Sequence, residues 1–145
     1  MNGLSPAIYA ISMPNELGCE KHARHLLAWL LPQLGLGPDR IADLQTAVSE
    51  ACINAIEHGN QGQPGRRVAV EVSFTAAYVD TVVTDEGLCC YQPRQTPPAT
   101  IVDKVAGEAA PRGMGVSLIE ALVDEATFVP AQPGCGNQVW LRLYR

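Results

Sequence analysis

Basic residues are scarce in this chain: 10 Lys and Arg stand against 15 Asp and Glu, a formal net charge of −5 over 145 residues. Without a global positive field the chain is a poor partner for nucleic acid, whose phosphates call for clustered cations. A small anionic ligand stays open, because it needs only a local pocket. Long apolar runs are also missing. The longest, Leu26 to Pro32, falls far below the ~20 residues of a membrane span. Met1 to Pro14 lacks the basic segment and long apolar stretch of a secretory signal. Zinc-ligand spacing is absent among the five cysteines, Cys19, Cys52, Cys89, Cys90 and Cys135, and Cys89 and Cys90 are adjacent. An odd count in this pattern reads as reduced thiols in a soluble cytoplasmic protein rather than a disulfide framework. No internal repeat is visible. With 47% hydrophobic residues the chain is not disordered, and 13 Gly with 11 Pro exclude a helical rod.

What is present is enough for one ordinary domain. A chain of this length buries roughly 70% of its unfolded surface and needs no staples. Ala7 to Ser12, bounded by Pro6 and Pro14, reads as a strand. Asn15 offers an N-cap for a helix from about Glu16 to Leu31, with Cys19, Ala23, Leu26, Leu27 and Leu30 as its apolar stripe. Pro38 opens a second helix running to about His58, which buries Ile41, Leu44, Val48, Cys52 and Ala55 and ends at Gly59 as a left-handed cap. Val68, Val70, Val72 and Phe74 alternate with Arg67, Ala69, Glu71 and Ser73, a half-buried strand. A further strand, Tyr78 to Thr84, ends at Asp85-Glu86-Gly87. Gln92 to Ala110 holds three prolines and no sustained pattern, the mark of a functional loop or lid. Gly113-Met114-Gly115 opens a helix to about Glu125, and short strands follow at Thr127–Val129 and Gln138–Tyr144. The order β-α-α-β-β-lid-α-β-β predicts an α+β two-layer sandwich with a mixed, mostly antiparallel sheet and helices on one face.

Three local patterns carry chemistry. Glu50, Asn54 and His58 recur at i, i+4 and i+8, stacking on one helix face apart from the apolar stripe. Alone, such a row reads as a solvated face. Asp85-Glu86-Gly87 puts a carboxylate at a strand end, where it can accept a hydrogen bond from an amine such as adenine N6; Asp-x-Gly is also an ordinary turn. Arg112-Gly113-Met114-Gly115 sets free backbone N–H groups, the positive end of a helix dipole and a guanidinium together, which suits phosphate. Arg94 and Lys104 in the loop read either as phosphate contacts or as solvated charges.

Taken in order, these patterns resemble the ATP-binding fold of gyrase, MutL and histidine kinases. Within it they most resemble the small anti-sigma-factor serine/threonine kinases of bacterial partner-switching systems. That group carries Ser-Glu-Ala-x-x-Asn-Ala-x-x-His-Gly, which here is Ser49 to Gly59. The resemblance covers nearly the whole chain and implies a single domain over residues 1–145 with an ATP lid at about 91–111. It implies Glu50 as general base toward the attacking hydroxyl, and Asn54 as ligand of Mg²⁺ on the triphosphate. It implies Asp85 and Gly87 at adenine, and Arg112, Gly113, Met114 and Gly115 around phosphate. Asn137 takes the place of the family's Thr near adenine, in Gly134-Cys135-Gly136-Asn137, and Cys89 replaces a Gly two residues after Gly87. Glu20 and Arg24 resemble partner-contacting positions. Expected partners are ATP, a STAS-type antagonist and a sigma factor, with a homodimer as the expected assembly. The alternative is a nucleotide-binding regulatory module that engages the same partners without phosphoryl transfer. A detached histidine-kinase domain is disfavoured by the short lid and the missing acceptor hairpin. His22 and His25 read as surface residues, and His58 as structural.

Overall fold

In the computed structural model, which describes residues 8–88 and 115–145, the alternation of apolar and polar side chains sets the sheet. In β2 (Arg67–Phe74) Val68, Val70 and Val72 are buried while Arg67 and Glu71 are exposed. In β3 (Tyr78–Thr84) Val79, Thr81 and Val83 are buried. In β5 (Gln138–Tyr144) Val139, Leu141 and Leu143 are buried, with Trp140 and Tyr144 exposed between them. With β1 (Tyr9–Pro14) and β4 (Glu125–Val129) these form a five-stranded sheet of order β1-β2-β3-β5-β4. Every pairing among the described residues is antiparallel.

The helices supply the second layer. α1 (Glu20–Leu30) buries Ala23, Leu27 and Leu30. α2 (Pro38–Asn54) buries Leu44, Ala47, Val48, Ala51 and Cys52, and α3 (Gly115–Leu122) buries Ile119. α2 lies between α1 and α3 and touches β3 and β5. Leu27, Leu44 and Leu141 have no exposed surface or almost none, and each contributes roughly 1.5–3 kcal/mol by burial. That packing fixes α2 on the sheet, and with it the polar residues that α2 carries. The element order and the one-sided sandwich agree with the sequence reading.

Boundaries differ in instructive ways. β1 runs two residues further than expected, to Pro14, which sits at the end of an edge strand where its missing N–H costs no ladder bond. α1 starts at Glu20, because Gly18 takes φ +100° and cannot belong to a helix. Asn15 is therefore no N-cap; its side chain donates to the Gln63 carbonyl instead. Beyond Asn54 the helix widens into a π turn, Ala55–Gly59, closed by Asn60 N–H donating to Ala55 O at 2.7 Å. Gly59 is not a left-handed cap; the positive φ values near this exit belong to Gln61 and Gly62. α3 stops at Leu122, and Glu125 already opens β4. Cys19 and Cys52 are buried and Cys135 exposed, all as free thiols. Burial pushes the Cys52 thiol up to about 12, which makes it a core residue rather than a nucleophile.

Candidate functional site

Arg112, Gly113, Met114, Cys89, Arg94, Lys104 and the lid at 91–111 lie outside the described residues. Apart from Glu20 and Arg24, the remaining site residues fall into two clusters joined by α2 and its π turn.

The first cluster is Glu50, Asn54 and Gly115. Glu50 is half-buried and Asn54 buried on α2. Gly115, the first residue of α3, lies against both: a Cβ there would stand 3.3 Å from Asn54 Nδ2 and 3.3 Å from Glu50 Oε2. Thus the carboxylate and the amide, one turn apart as their spacing predicts, meet the backbone start of α3. His58 does not continue this row. It is exposed, while Gly59 beside it is buried, because the i→i+5 winding of the π turn rotates the helix exit away from α-helical phase.

The second cluster surrounds Asp85, which is 2% exposed at the end of β3. Its Oδ1 accepts three hydrogen bonds: from Gly87 N–H at 2.8 Å, from Asn137 N–H at 2.9 Å and from Asn137 Nδ2 at 3.2 Å. Its Oδ2 faces Gly59 and receives Asn137 Nδ2 at 3.2 Å. Burial raises the pKa of this carboxyl above the usual carboxylate value. The hydrogen bonds from Gly87 and Asn137, and then the positive charge of Arg66, pull it back toward the ionised form. Three glycines make this fit possible. A Cβ on Gly59 would overlap the Asp85 carboxylate, one on Gly136 would overlap the Asp85 backbone, and one on Gly87 would overlap the Gly59 carbonyl.

Asn137 is engaged with Asp85 through both its backbone and its side chain. Its Oδ1 accepts from Ala131 N–H at 2.9 Å, and its backbone carbonyl accepts from Asp85 N–H at 3.0 Å. It holds the carboxylate from the β5 side. Sequence reasoning missed Gly59 and Gly136 as walls of this cluster, because a glycine required by a neighbour in space has no local signal. It also missed Asn60, which is fully buried in the fold.

From Glu50 to Gly59 the helix advances about 13 Å at 1.5 Å per residue. One wall thus presents a carboxylate and an amide at one end and a buried carboxylate acceptor at the other, a span that suits an elongated nucleotide. The oxygens of Glu50 and Asn54 are hard donors of the kind Mg²⁺ takes. Among the described residues no group of three or more His, Cys, Asp or Glu gathers as a metal cage. A Mg²⁺ held by one or two protein oxygens together with phosphate and water needs none.

Glu20 and Arg24 lie on α1, away from both clusters in sequence. Arg24 is exposed and Glu20 half-buried, its carboxylate accepting from Gly18 N–H at 2.7 Å. His22 and His25 are exposed, as expected. No helix of the described residues is long and apolar enough to cross a membrane.

Comparison with known proteins shows the family and supports the fold. The family described as "Histidine kinase-like ATPase domain" matches residues 13–143. The anti-sigma F factor of Halalkalibacterium halodurans is 31% identical over 123 residues, covering 85% of this chain and 82% of that protein. The anti-sigma F factor of Bacillus cytotoxicus is 30% identical over 125 residues, covering 86% and 84%. Among solved structures, that of the RsbU and RsbW domains of Rv1364c from Mycobacterium tuberculosis superposes with a TM-score of 0.63 at 20% identity. That match covers 94% of this chain and 31% of the other, and it supports the fold.

Proposed function

We propose, because this chain belongs to the histidine kinase-like ATPase domain family, that it binds ATP with Mg²⁺ and acts as an anti-sigma serine/threonine kinase of a partner-switching system. The observation that carries the reading is the convergence of Glu50 and Asn54 on the first residue of α3, on the helix whose far end abuts the buried Asp85. The relatives named anti-sigma F factor support the partner class. The acceptor is a serine or threonine hydroxyl on a STAS-type antagonist, the protein works in the cytoplasm as a homodimer, and residues 91–111 close over the nucleotide.

Each residue has a defined task. Asp85 accepts a hydrogen bond from the exocyclic amine of adenine, and Gly87 lets the base approach the backbone. Asn137 keeps the Asp85 carboxylate in place. Arg112, Gly113, Met114 and Gly115 cradle phosphate at the start of α3. Asn54, with its amide oxygen, would hold Mg²⁺, which when bound neutralises charge on the triphosphate. Glu50 accepts the proton of the attacking hydroxyl. Little covalent chemistry is asked of the protein, since phosphoryl transfer is governed by positioning and electrostatics. Glu20 and Arg24 contact the protein partner. Calorimetry with ATP·Mg²⁺ tests the nucleotide half of this reading: saturable heat is expected from the folded chain, and its absence would remove the assignment.

A further inference from the structure

Asn60 follows directly on the π turn, and its side chain is committed in three directions. Oδ1 accepts from the backbone N–H of Glu86 at 2.7 Å. Nδ2 donates to Asn15 Oδ1 at 3.0 Å and to the Arg67 carbonyl at 3.0 Å. Both amide donors and the amide acceptor are therefore used, inside a residue with no exposed surface. The three partners belong to the segment after β1, the first residue of β2 and the turn after β3. The Asn60 carbonyl in turn accepts from Arg66 Nη1 at 3.3 Å.

The position of this knot matters more than its size. Asn60 is the residue after Gly59, and Glu86 is the residue after Asp85. Gly59 and Asp85 are themselves in direct contact, so close that a Cβ on the first would overlap the carboxylate of the second. The Asn60–Glu86 hydrogen bond is thus one step along from that contact on both segments, and it sets the spacing between the helix exit and the Asp85 turn. Glu86 is tied down a second time, because its carboxylate accepts from Arg67 N–H. Asn137 holds Asp85 from the β5 side, and Asn60 holds the same turn from the α2 side.

We propose that Asn60 is a positioning residue of the nucleotide site, fixing the Asp85-Glu86-Gly87 turn so that the Asp85 carboxylate presents its acceptor to the amine of the base. This rests on the reading of Asp85 given above. Loss of Asn60 lets the turn drift from Gly59, which weakens the contact to the base and leaves the phosphate end, at Glu50, Asn54 and Gly115, as it was.

The test compares ATP with inosine triphosphate, which has a carbonyl in place of the amine, by calorimetry on the full chain with Mg²⁺. The parent is expected to favour ATP by about tenfold, the worth of one good hydrogen bond. Asn60→Ala is expected to lose about tenfold in ATP affinity, keep its inosine triphosphate affinity, and bring the ratio below about threefold. A structural role alone would lower the melting temperature without narrowing that ratio, so a folded Asn60→Ala with the parental ratio overturns the proposal. Asn60→Asp keeps an acceptor for Glu86 N–H and serves if the alanine variant does not fold. It is expected to retain most of the discrimination, and a folded Asn60→Asp that has lost it also overturns the proposal. A parent that binds ATP without preferring it refutes Asp85 as reader of the amine, and the role of Asn60 falls with it. A parent that binds neither nucleotide refutes the nucleotide assignment as a whole.

Discussion

Gly59, at the end of the π turn after α2, and Asp85, just past the end of β3, pack so closely that any side chain on Gly59 would collide with the Asp85 carboxylate. The family string ending in His58-Gly59 and the strand ending in Asp85-Glu86-Gly87 are therefore two sides of one contact. The glycine is there for clearance, since its φ is not in the left-handed region.

Gly59→Ala should accordingly damage the site from a distance in sequence. The collision is with a buried carboxylate that Asn137 and Gly87 hold in place, so it cannot move cheaply. A stability loss of about 1–3 kcal/mol is expected, as for other overpacked sites, together with loss of ATP binding. Gly37→Ala is the matched control: a Cβ there meets nothing within 4 Å and its φ is −77°. It should bind ATP like the parent. Thermal melts and calorimetry on both variants check this, and equal behaviour of the two would contradict the clearance argument.

Asp85→Asn should weaken ATP, because the acceptor becomes an amide able to present a donor to the base. It also carries a pH signature. Burial raises the Asp85 pKa in the folded state above its usual 3.8, so the folded chain binds this proton more tightly than the unfolded chain. Its contribution to stability is then largest below 3.8 and falls as pH rises through the raised folded value. The stability of the parent relative to Asp85→Asn should therefore decline as pH increases across that window. Unfolding titrations at a series of pH values measure it, and a difference that grows with pH would contradict the assigned direction.

Arg24→Glu should separate partner from nucleotide. Arg24 is exposed on α1, an element that carries none of Glu50, Asn54 or Asp85. Reversal of its charge should reduce affinity for the protein partner while ATP affinity stays at the parental value. Surface-immobilised partner and calorimetry give the two readings; equal loss of both would point to misfolding, and loss of neither would remove Arg24 from the interface.

The sequence made the framework legible because each strong period was also a buried face. Val68, Val70 and Val72 alternate and are buried, and Gln138–Tyr144 is a strand with the expected limits. Leu44, Val48 and Cys52 recur at helical spacing and pack on the sheet. The Glu50–Asn54 pair was legible for the same reason, since one turn of α-helix stacks i and i+4. What was not legible depends on contacts between distant segments. The π turn breaks the expected row at His58, and nothing local announces it. Gly18 ends the possibility of a helix from Glu16 through a backbone angle that a glycine permits but does not demand. Asn60 and Asn137 are tied to Glu86 and Asp85, which lie 26 and 52 residues away.

The proposed activity is phosphate transfer, with Glu50 as the base. The direct measurement is transfer from labelled ATP·Mg²⁺ to a STAS-type partner that the protein demonstrably binds, for the parent and for Glu50→Gln. The substitution keeps size and leaves Asn54 in place while removing the proton acceptor. Transfer by the parent is expected, with nucleotide affinity preserved in Glu50→Gln and a transfer rate about 10²–10⁴-fold lower, the usual worth of a positioned general base. Undiminished transfer in Glu50→Gln would contradict the role of Glu50. No transfer from the parent to a partner it binds would contradict the kinase itself and leave ATP as a conformational ligand.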